Sequence, residues 1–183
     1  MARGNKKILL LPDSNRCDLE RKLGHVFSDP NLLWEALQAA DNGVIQIGDR
    51  KIDNGNKKMA LLGDAILQLA LLNDWFESGE SRSMFSLLHR SFCFTLRIKI
   101  DIMETGVGNG TVCAVGNHRN LEKCGRDNGL AKFITPNYTC RKSEIPRRTM
   151  TATVEALLGA VFIDSAEDLK AVKTAMKGLG LIN

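Results

Sequence analysis

The chain of 183 residues has the length of one domain with short extensions. Its 44% hydrophobic and 25% charged residues, with only 4 prolines, can form a core and exclude a chain that is disordered overall. The formal net charge of +4 permits a nucleic acid as a partner without requiring one. No apolar run is long enough for a membrane span or a secretion signal, so we expect a soluble intracellular protein without a membrane segment.

The spacing of apolar residues predicts helices along most of the chain and almost no strand, so the predicted fold class is all-α. A first helix covers residues 17–23, and a second begins with Pro30 at its first position. Residues 42–55 are polar and glycine-rich, and we expect a loop there that includes a short strand. Residues 56–77 form a helix that is apolar on nearly all sides and is therefore predicted to be buried.

Helical spacing predicts three further helices, at residues 82–103, 149–163 and 166–177. The glycine- and asparagine-rich residues 106–129 are predicted to be a loop with a short helix near residues 120–123. Residues 138–148 are predicted to form a basic loop. The organisation that follows is a basic, partly flexible arm at residues 1–16 and one folded domain at residues 17–183.

Each of the two most apolar helices contains an isolated acid. Asp64 is the only acid between residues 56 and 73, and Glu155 follows a run of small and apolar residues. Burying an unpaired carboxylate is strongly unfavourable, so each acid must cap a helix, pair with a cation or bind a metal. Because both helices need apolar surroundings, the simplest arrangement packs them together at the centre of the protein with the two acids close to each other.

Residues 56–67, NKKMALLGDAIL, and residues 151–164, TATVEALLGAVFID, together resemble the two signature motifs of the ribonuclease III domain. The first family motif is Asn-Glu-Arg-Leu-Glu-Phe-Leu-Gly-Asp, and the second begins Ala-Asp-x-x-Glu-Ala. Residues 19–33 are similar to the family's opening pair of helices, and residues 88–106 resemble its middle helices. These four blocks occur in the family's order over residues 17–165, and the chain looks like the short, single-domain fungal members.

The resemblance implies a site in which four carboxylates, two from each motif, hold Mg²⁺ for hydrolysis of double-stranded RNA. Asp64 and Glu155 match two of these acids. Ala60 and Ala152 stand at the positions of the other two, and Lys57 replaces the outer glutamate of the first motif. The carboxylates of such a site act as a unit, so the loss of two of them is expected to remove most of its function. We therefore expect weak or absent binding of Mg²⁺ or Mn²⁺ and impaired cleavage.

Three interpretations of Asp64 and Glu155 remain open. They are a remnant metal site, a pair of structural carboxylates, or half of a site completed by acids elsewhere. In the second case the expected partners are Lys57, Lys58 or an arginine of a partner chain. The third case has no support from spacing, and its candidates are Glu35, Asp41, Asp53 and Glu144.

Other patterns in the sequence carry little chemistry. The three histidines, His25, His89 and His118, share no ligand spacing, so we expect ordinary core or surface residues. The five cysteines are an odd number without a Cys-x-x-Cys pair, which argues against a disulfide framework and a zinc site. They are Cys17, Cys93, Cys113, Cys124 and Cys140.

Contacts with RNA phosphates are predicted for two basic stretches, although a solvated surface explains them nearly as well. They contain Lys57, Lys58, Arg141, Lys142, Arg147 and Arg148. Only 19 residues follow Asp164, so we expect no double-stranded-RNA-binding domain after the nuclease-like domain. The resemblance also implies a two-fold homodimer through the central helix, where Leu61 replaces a phenylalanine that fits into the partner, and the smaller side chain is expected to weaken that contact.

The favoured hypothesis is a ribonuclease III-like protein with impaired or lost catalysis that acts by binding double-stranded RNA or within RNA-processing assemblies. One alternative is an active, divergent endoribonuclease that uses Mg²⁺ or Mn²⁺. Another is a structural component of a ribosome or a silencing complex, which binds protein partners more than RNA. The basic arm is compatible with the cytoplasm, the nucleus or the mitochondrion.

Overall fold

A computed structural model describes residues 13–78, 115–137 and 144–182. Within these ranges the chain is mostly helical, as predicted, with one small hairpin. In chain order the elements are α1 (Asp13–Leu23), α2 (Pro30–Ala36), β1 (Gln46–Ile47), β2 (Arg50–Lys51), α3 (Lys57–Ser78), α4 (His118–Asp127), a 3₁₀ helix (Leu130–Lys132), α5 (Arg147–Asp164) and α6 (Leu169–Gly178). The helix predicted at residues 82–103 lies outside the described residues.

Side-chain caps set the start of three helices. Asp29 precedes α2 and accepts a hydrogen bond from the backbone amide two residues later, and Pro30 then supplies the fixed φ of the first helical turn. Asn117 caps α4 by accepting from the backbone amide three residues later, and Asp168 caps α6 by accepting from the amide two residues later. These local signals explain why the beginning of α2 was predictable from sequence.

Helix α5 lies at the centre of the fold. It packs against α2, α3, α4 and α6, and most of its side chains between Met150 and Val161 are fully buried. Burial on so many sides agrees with the nearly continuous apolar sequence of this helix. The rest of the fold is therefore arranged around α5.

Two glycines let α3 and α5 cross with their backbones in contact. A Cβ atom on Gly63 would overlap the carbonyl oxygen of Glu155, and one on Gly159 would lie 2.6 Å from the carbonyl oxygen of Met59. No side chain separates the helices at this point. The crossing therefore brings the residues next to Gly63 on α3 beside Glu155 on α5.

The short strand expected within residues 42–55 is present as part of a hairpin. Gln46 pairs with Lys51 and Ile47 with Arg50 in antiparallel register. Ile47 and Ile52 pack on Trp34 of α2 in a small apolar cluster. The hairpin is thereby fixed on the outer side of α2.

The predicted starts of several helices were wrong, beginning with α1. Helix α1 begins at Asp13, four residues before its predicted start at residue 17. Arg16 in this added turn donates two hydrogen bonds. Its Nε donates to the carboxylate of Glu20 at 2.8 Å, and its guanidinium group also donates to the carbonyl oxygen of Phe27. These contacts extend the helix by one turn.

The start of α5 was also misplaced by the sequence pattern. Arg147 and Arg148 were predicted in a basic loop, but they are the first two residues of α5. Helix α4 covers ten residues where a short helix at residues 120–123 was predicted. The last helix begins at Leu169, three residues later than predicted.

Candidate active site

Asp64 and Glu155 lie close together at the α3–α5 crossing. Both carboxyl groups are half-buried, and the side-chain amide of Gln68 donates to Asp64 Oδ1 at 3.2 Å. Glu155 has no hydrogen-bond partner among the residues that the structure describes. Burial, and then the negative charge of Asp64, raise the pKa of Glu155 to about 8, so that it is mostly protonated at neutral pH.

Alanine methyl groups occupy the two helix positions that face this pair. Ala60 precedes Asp64 by one turn and is only 5% exposed, and Ala152 precedes Glu155 by three residues and packs against the core. Residues three or four apart share one helix face, so acids at these positions would complete a four-carboxylate cluster. The alanines leave two carboxylates, one of them neutral at pH 7.

This donor set does not fit a magnesium centre built by the protein. Mg²⁺ requires near-octahedral oxygen coordination, whereas two carboxyl groups offer few ligands and little negative charge. Across residues 13–78, 115–137 and 144–182, no cluster of three or more His, Cys, Asp or Glu side chains could hold a metal ion. Any divalent cation there would depend mainly on water and on groups of a bound ligand.

The four acids considered as replacements do not join the pair. Three of them have partners elsewhere, in the contacts Glu35–Arg50 (3.0 Å), Asp41–Asn54 (2.9 Å) and Asp53–Lys58 (3.3 Å). The fourth, Glu144, is exposed on the segment before α5. In addition, Lys57 contacts the side-chain oxygen of Asn54 at 2.8 Å. Neither Lys57 nor Lys58 therefore has its structural partner at the acid pair.

Of the basic residues predicted to bind RNA, Arg147 and Arg148 are exposed on the first turn of α5. Arg148 lies one turn before Ala152 and shares its helix face, and thus also that of Glu155. Arg141 and Lys142 lie outside the described residues. The first turn of α5 therefore presents two exposed cations, of which Arg148 lies on the helix face of Glu155.

Sequence reasoning missed the cations at the start of α4. The hydroxyl of Thr151 on α5 donates to the carbonyl oxygen of His118 at 3.2 Å, which places the first turn of α4 beside the start of α5. His118 and Arg119 are exposed there. The sequence does contain one sign of this helix start, because Asn117 is a residue type that commonly caps helices. A helix that begins after Asn117 has Arg119 in its first turn.

His25 has a structural role that agrees with the prediction of an ordinary histidine. Its Nε2 lies 2.8 Å from Asp164 Oδ2 at the end of α5. The carboxylate of Asp164 also accepts hydrogen bonds from the backbone amides of Ser28 and Asp29. Burial opposes ionisation of Asp164, but these amides and the histidine ring outweigh it and lower the pKa of Asp164. The contacts fix the end of α5 to the start of α2. His89 lies outside the described residues.

The two cysteines in the described ranges are free. Cys17 is exposed, and Cys124 is buried with its thiol donating to the carbonyl oxygen of Leu179 at 2.8 Å. Burial raises the pKa of Cys124 to about 11, so this thiol is not a nucleophile at neutral pH. The other three cysteines, Cys93, Cys113 and Cys140, lie outside the described residues.

One side of α3 is apolar and exposed, which the expectation of burial on nearly all sides did not anticipate. Leu61, Leu69 and Phe76 are 64%, 49% and 80% exposed, and Ala65 lies between them. The spacing of four and seven residues aligns these side chains along one helix face, hereafter the α3 stripe. No helix in the described part of the chain is long and apolar enough to cross a membrane.

The chain has a sequence relative and structural neighbours among ribonuclease III proteins. No family model matches the chain. Ribonuclease 3 of Fusobacterium nucleatum is 28% identical over 158 residues, which cover 84% of this chain and 57% of the relative, so the chain spans little more than half of that protein.

Two solved structures of the nuclease domain of ribonuclease III from Campylobacter jejuni share the fold. Their TM-scores are 0.57 and 0.56 at 21% and 20% identity, and the match covers 88% of this chain and 94% and 91% of theirs. One of them is described as having structural flexibility in a region involved in dimer formation. The chain is therefore similar in sequence to a ribonuclease 3 over most of its length and shares the fold of the ribonuclease III nuclease domain.

Proposed function

We propose that this chain is a ribonuclease III-like protein with impaired catalysis, which acts by binding double-stranded RNA. The observation that supports the loss of catalysis is the pair of alanines at the α3–α5 crossing. Ala60 and Ala152 occupy the helix faces of Asp64 and Glu155, where the family resemblance requires two further carboxylates. The crossing itself is intact, so the change affects the chemistry of the site and leaves its scaffold in place.

The state of Glu155 supports the same proposal. A carboxylate must be deprotonated to bind a metal, whereas burial and the charge of Asp64 favour the protonated form of Glu155. No described cation compensates the pair. A divalent ion would therefore compete with a proton for Glu155 at neutral pH, so cofactor binding is weak.

An active but divergent endoribonuclease is the second candidate, and the adjacency of Asp64 and Glu155 favours it. Mg²⁺ can bind through one or two carboxylates when phosphate groups of a substrate supply further oxygens. Under this alternative, Asp64 is the indispensable residue, because burial and the nearby charge keep Glu155 mostly protonated at neutral pH.

Dimerisation is part of the proposal. The α3 stripe exposes apolar side chains along several helical turns, and such surfaces in soluble proteins commonly mark association sites. A second copy of α3 across a two-fold axis would cover the stripe with an identical apolar face. A Campylobacter jejuni neighbour described as dimer-forming supports this arrangement.

Cleavage of a long RNA duplex tests the proposal. The native protein, Asp64→Asn and the double variant Ala60→Glu/Ala152→Asp are each incubated with duplex and Mg²⁺ or Mn²⁺, and products are resolved on denaturing gels. We expect the native protein to bind duplex with little or no cleavage, and the double variant to gain cleavage. Efficient cutting by the native protein that Asp64→Asn abolishes would establish the active alternative. A protein that neither cuts nor binds duplex would instead point to protein partners.

A further inference from the structure

The arginines of the described ranges fall into two groups. Four of the seven have carboxylate partners, in the pairs Arg16–Glu20, Arg21–Asp18, Arg50–Glu35 and Arg126–Glu122. The other three, Arg119, Arg147 and Arg148, have no hydrogen-bond or ion-pair partner among the residues that the structure describes, and all three are exposed. Unpaired guanidinium groups are therefore concentrated in one part of the protein.

The three unpaired arginines lie on adjoining helix ends. Arg119 is the second residue of α4, while Arg147 and Arg148 are the first two residues of α5. The hydrogen bond from the Thr151 hydroxyl to the carbonyl oxygen of His118 joins the first turn of α4 to the second turn of α5, one turn after Arg147 and Arg148. We call Arg119, Arg147 and Arg148 the arginine surface.

The position of these cations opposes the helix dipoles. The first turn of a helix carries a partial positive charge and is stabilised by acids, yet neither α4 nor α5 has an acid in its first turn. The residue before α5 is Pro146, which provides no side-chain cap, so no side chain satisfies the first amides of α5. Arginines at two neighbouring helix starts, together with the uncapped first amides of α5, form an environment that suits an anion.

Apart from the Asp64–Glu155 pair, the surroundings offer little negative charge to neutralise the arginine surface. Glu122 on α4 is engaged by Arg126, and Glu144 is an exposed acid on the segment before α5. The sequences that flank the two described segments, residues 111–114 and 138–143, contain no acid. By contrast, Lys57 and Lys58, the other predicted RNA contacts, have polar or acidic partners of their own.

We infer that the arginine surface binds backbone phosphates of duplex RNA without requiring a divalent cation. This inference rests on the proposed function and identifies the surface that performs it. The planar guanidinium group matches two phosphate oxygens at once, which favours arginine over lysine for this role. Arg148 extends the surface along the face of α5 that carries Ala152 and Glu155, so the bound backbone lies beside the acid pair.

Fluorescence anisotropy with a labelled RNA duplex of mixed sequence, titrated in EDTA at several salt concentrations, tests the inference. The variant Arg119→Ala/Arg147→Ala/Arg148→Ala is compared with Lys51→Ala/Lys170→Ala/Lys177→Ala, which removes three exposed cations from β2 and α6. We expect the arginine variant to lose at least about tenfold in affinity and to reduce the slope of log K against log salt by about 2 to 3. The lysine variant is expected to change affinity by less than about threefold.

The melting temperature separates this role from a structural one. Because the arginines oppose the dipoles of α4 and α5, their removal is expected to leave the melting temperature unchanged or to raise it. If the arginine variant melts lower, Arg148→Gln decides the question by itself: a loss of affinity of about threefold or more supports the inference, and unchanged affinity overturns it.

Three results would overturn the inference. Equal losses for the arginine and lysine variants would show that binding depends on overall charge, and the proposed duplex binding would still stand. Binding that disappears in EDTA and returns with Mg²⁺ would contradict independence from divalent cations. A native protein that binds no duplex at any salt concentration would refute both the inference and the proposed function.

Discussion

Glu155 is a half-buried carboxyl group that lies beside a second acid, Asp64. Its pKa rises from 4.5 to about 8 because the group is buried and Asp64 is close. Between these two pH values the folded protein holds a proton that the unfolded chain releases. The folded state therefore binds more protons, and the free energy of unfolding decreases as the pH rises through this window.

We expect Glu155→Gln to remove this dependence, since glutamine resembles the protonated acid in shape and stays neutral. In EDTA at pH 9 the variant should be more stable than the native protein by about 1 to 3 kcal/mol, and the difference should vanish near pH 4.5. Urea unfolding at several pH values measures this, with Glu144→Gln on the exposed segment as the control. The explanation would be contradicted if the variant were less stable than the native protein at pH 9, or if their difference in the free energy of unfolding did not change with pH.

Asp164 behaves in the opposite way and illustrates how far sequence reasoning reaches at this scale. Its lowered pKa reflects amides of Ser28 and Asp29 and the ring of His25, so its contribution to stability is lost as the pH falls. The sequence marks Asp164 only as the end of a motif. Its partners lie more than a hundred residues earlier, and no local pattern could reveal them.

At the scale of helices, local chemistry decided which boundaries were predictable. The start of α2 was visible because Asp29 and Pro30 are adjacent cap and first-turn residues. The start of α5 was hidden, because two arginines after an uncapped Pro146 are typical of a loop and unfavourable in a first turn. Tertiary packing determines that start, since Met150 in the next turn contacts α4 at Gly125.

The glycine crossing of α3 and α5 gives a prediction at the same scale. In Gly63→Ala the new methyl group would overlap the carbonyl oxygen of Glu155, so the helices must move apart. We expect a loss of about 1 to 3 kcal/mol in the free energy of unfolding, measured by urea denaturation. The matched control is Gly116→Ala, whose methyl group would meet only a side-chain atom of Leu67 at 3.9 Å. Equal effects of the two substitutions would show that α3 and α5 are not in backbone contact.

For the molecule as a whole, the sequence indicated how many apolar residues are available for packing. It did not indicate whether each apolar face packs in the core or lies at the surface. The two apolar helices do pack together at the centre, as the isolated acids Asp64 and Glu155 suggested. However, a helix that is apolar on nearly all sides has the same sequence whether its last face meets the core or another chain. The α3 stripe was therefore indistinguishable from core until the fold showed Leu61 and Phe76 exposed.

Association through the α3 stripe is the prediction that concerns the whole molecule. We expect the native protein to be a dimer in sedimentation experiments and Leu69→Glu to be monomeric, because a two-fold axis would bury two uncompensated carboxylates in one apolar interface. The dissociation constant should increase by about a hundredfold or more, equivalent to about 2.7 kcal/mol. The matched control is Val26→Glu, at another exposed apolar position, in the α1–α2 loop.

A native monomer at the concentrations of the RNA assays, or a Leu69→Glu variant that remains dimeric, would refute this use of the stripe. The first result would leave the stripe for a different protein. The oligomeric state also bears on RNA binding, since a dimer carries two copies of the arginine surface. If both copies contact one duplex, Leu69→Glu should lower the salt dependence of binding together with the affinity, although it removes no cation.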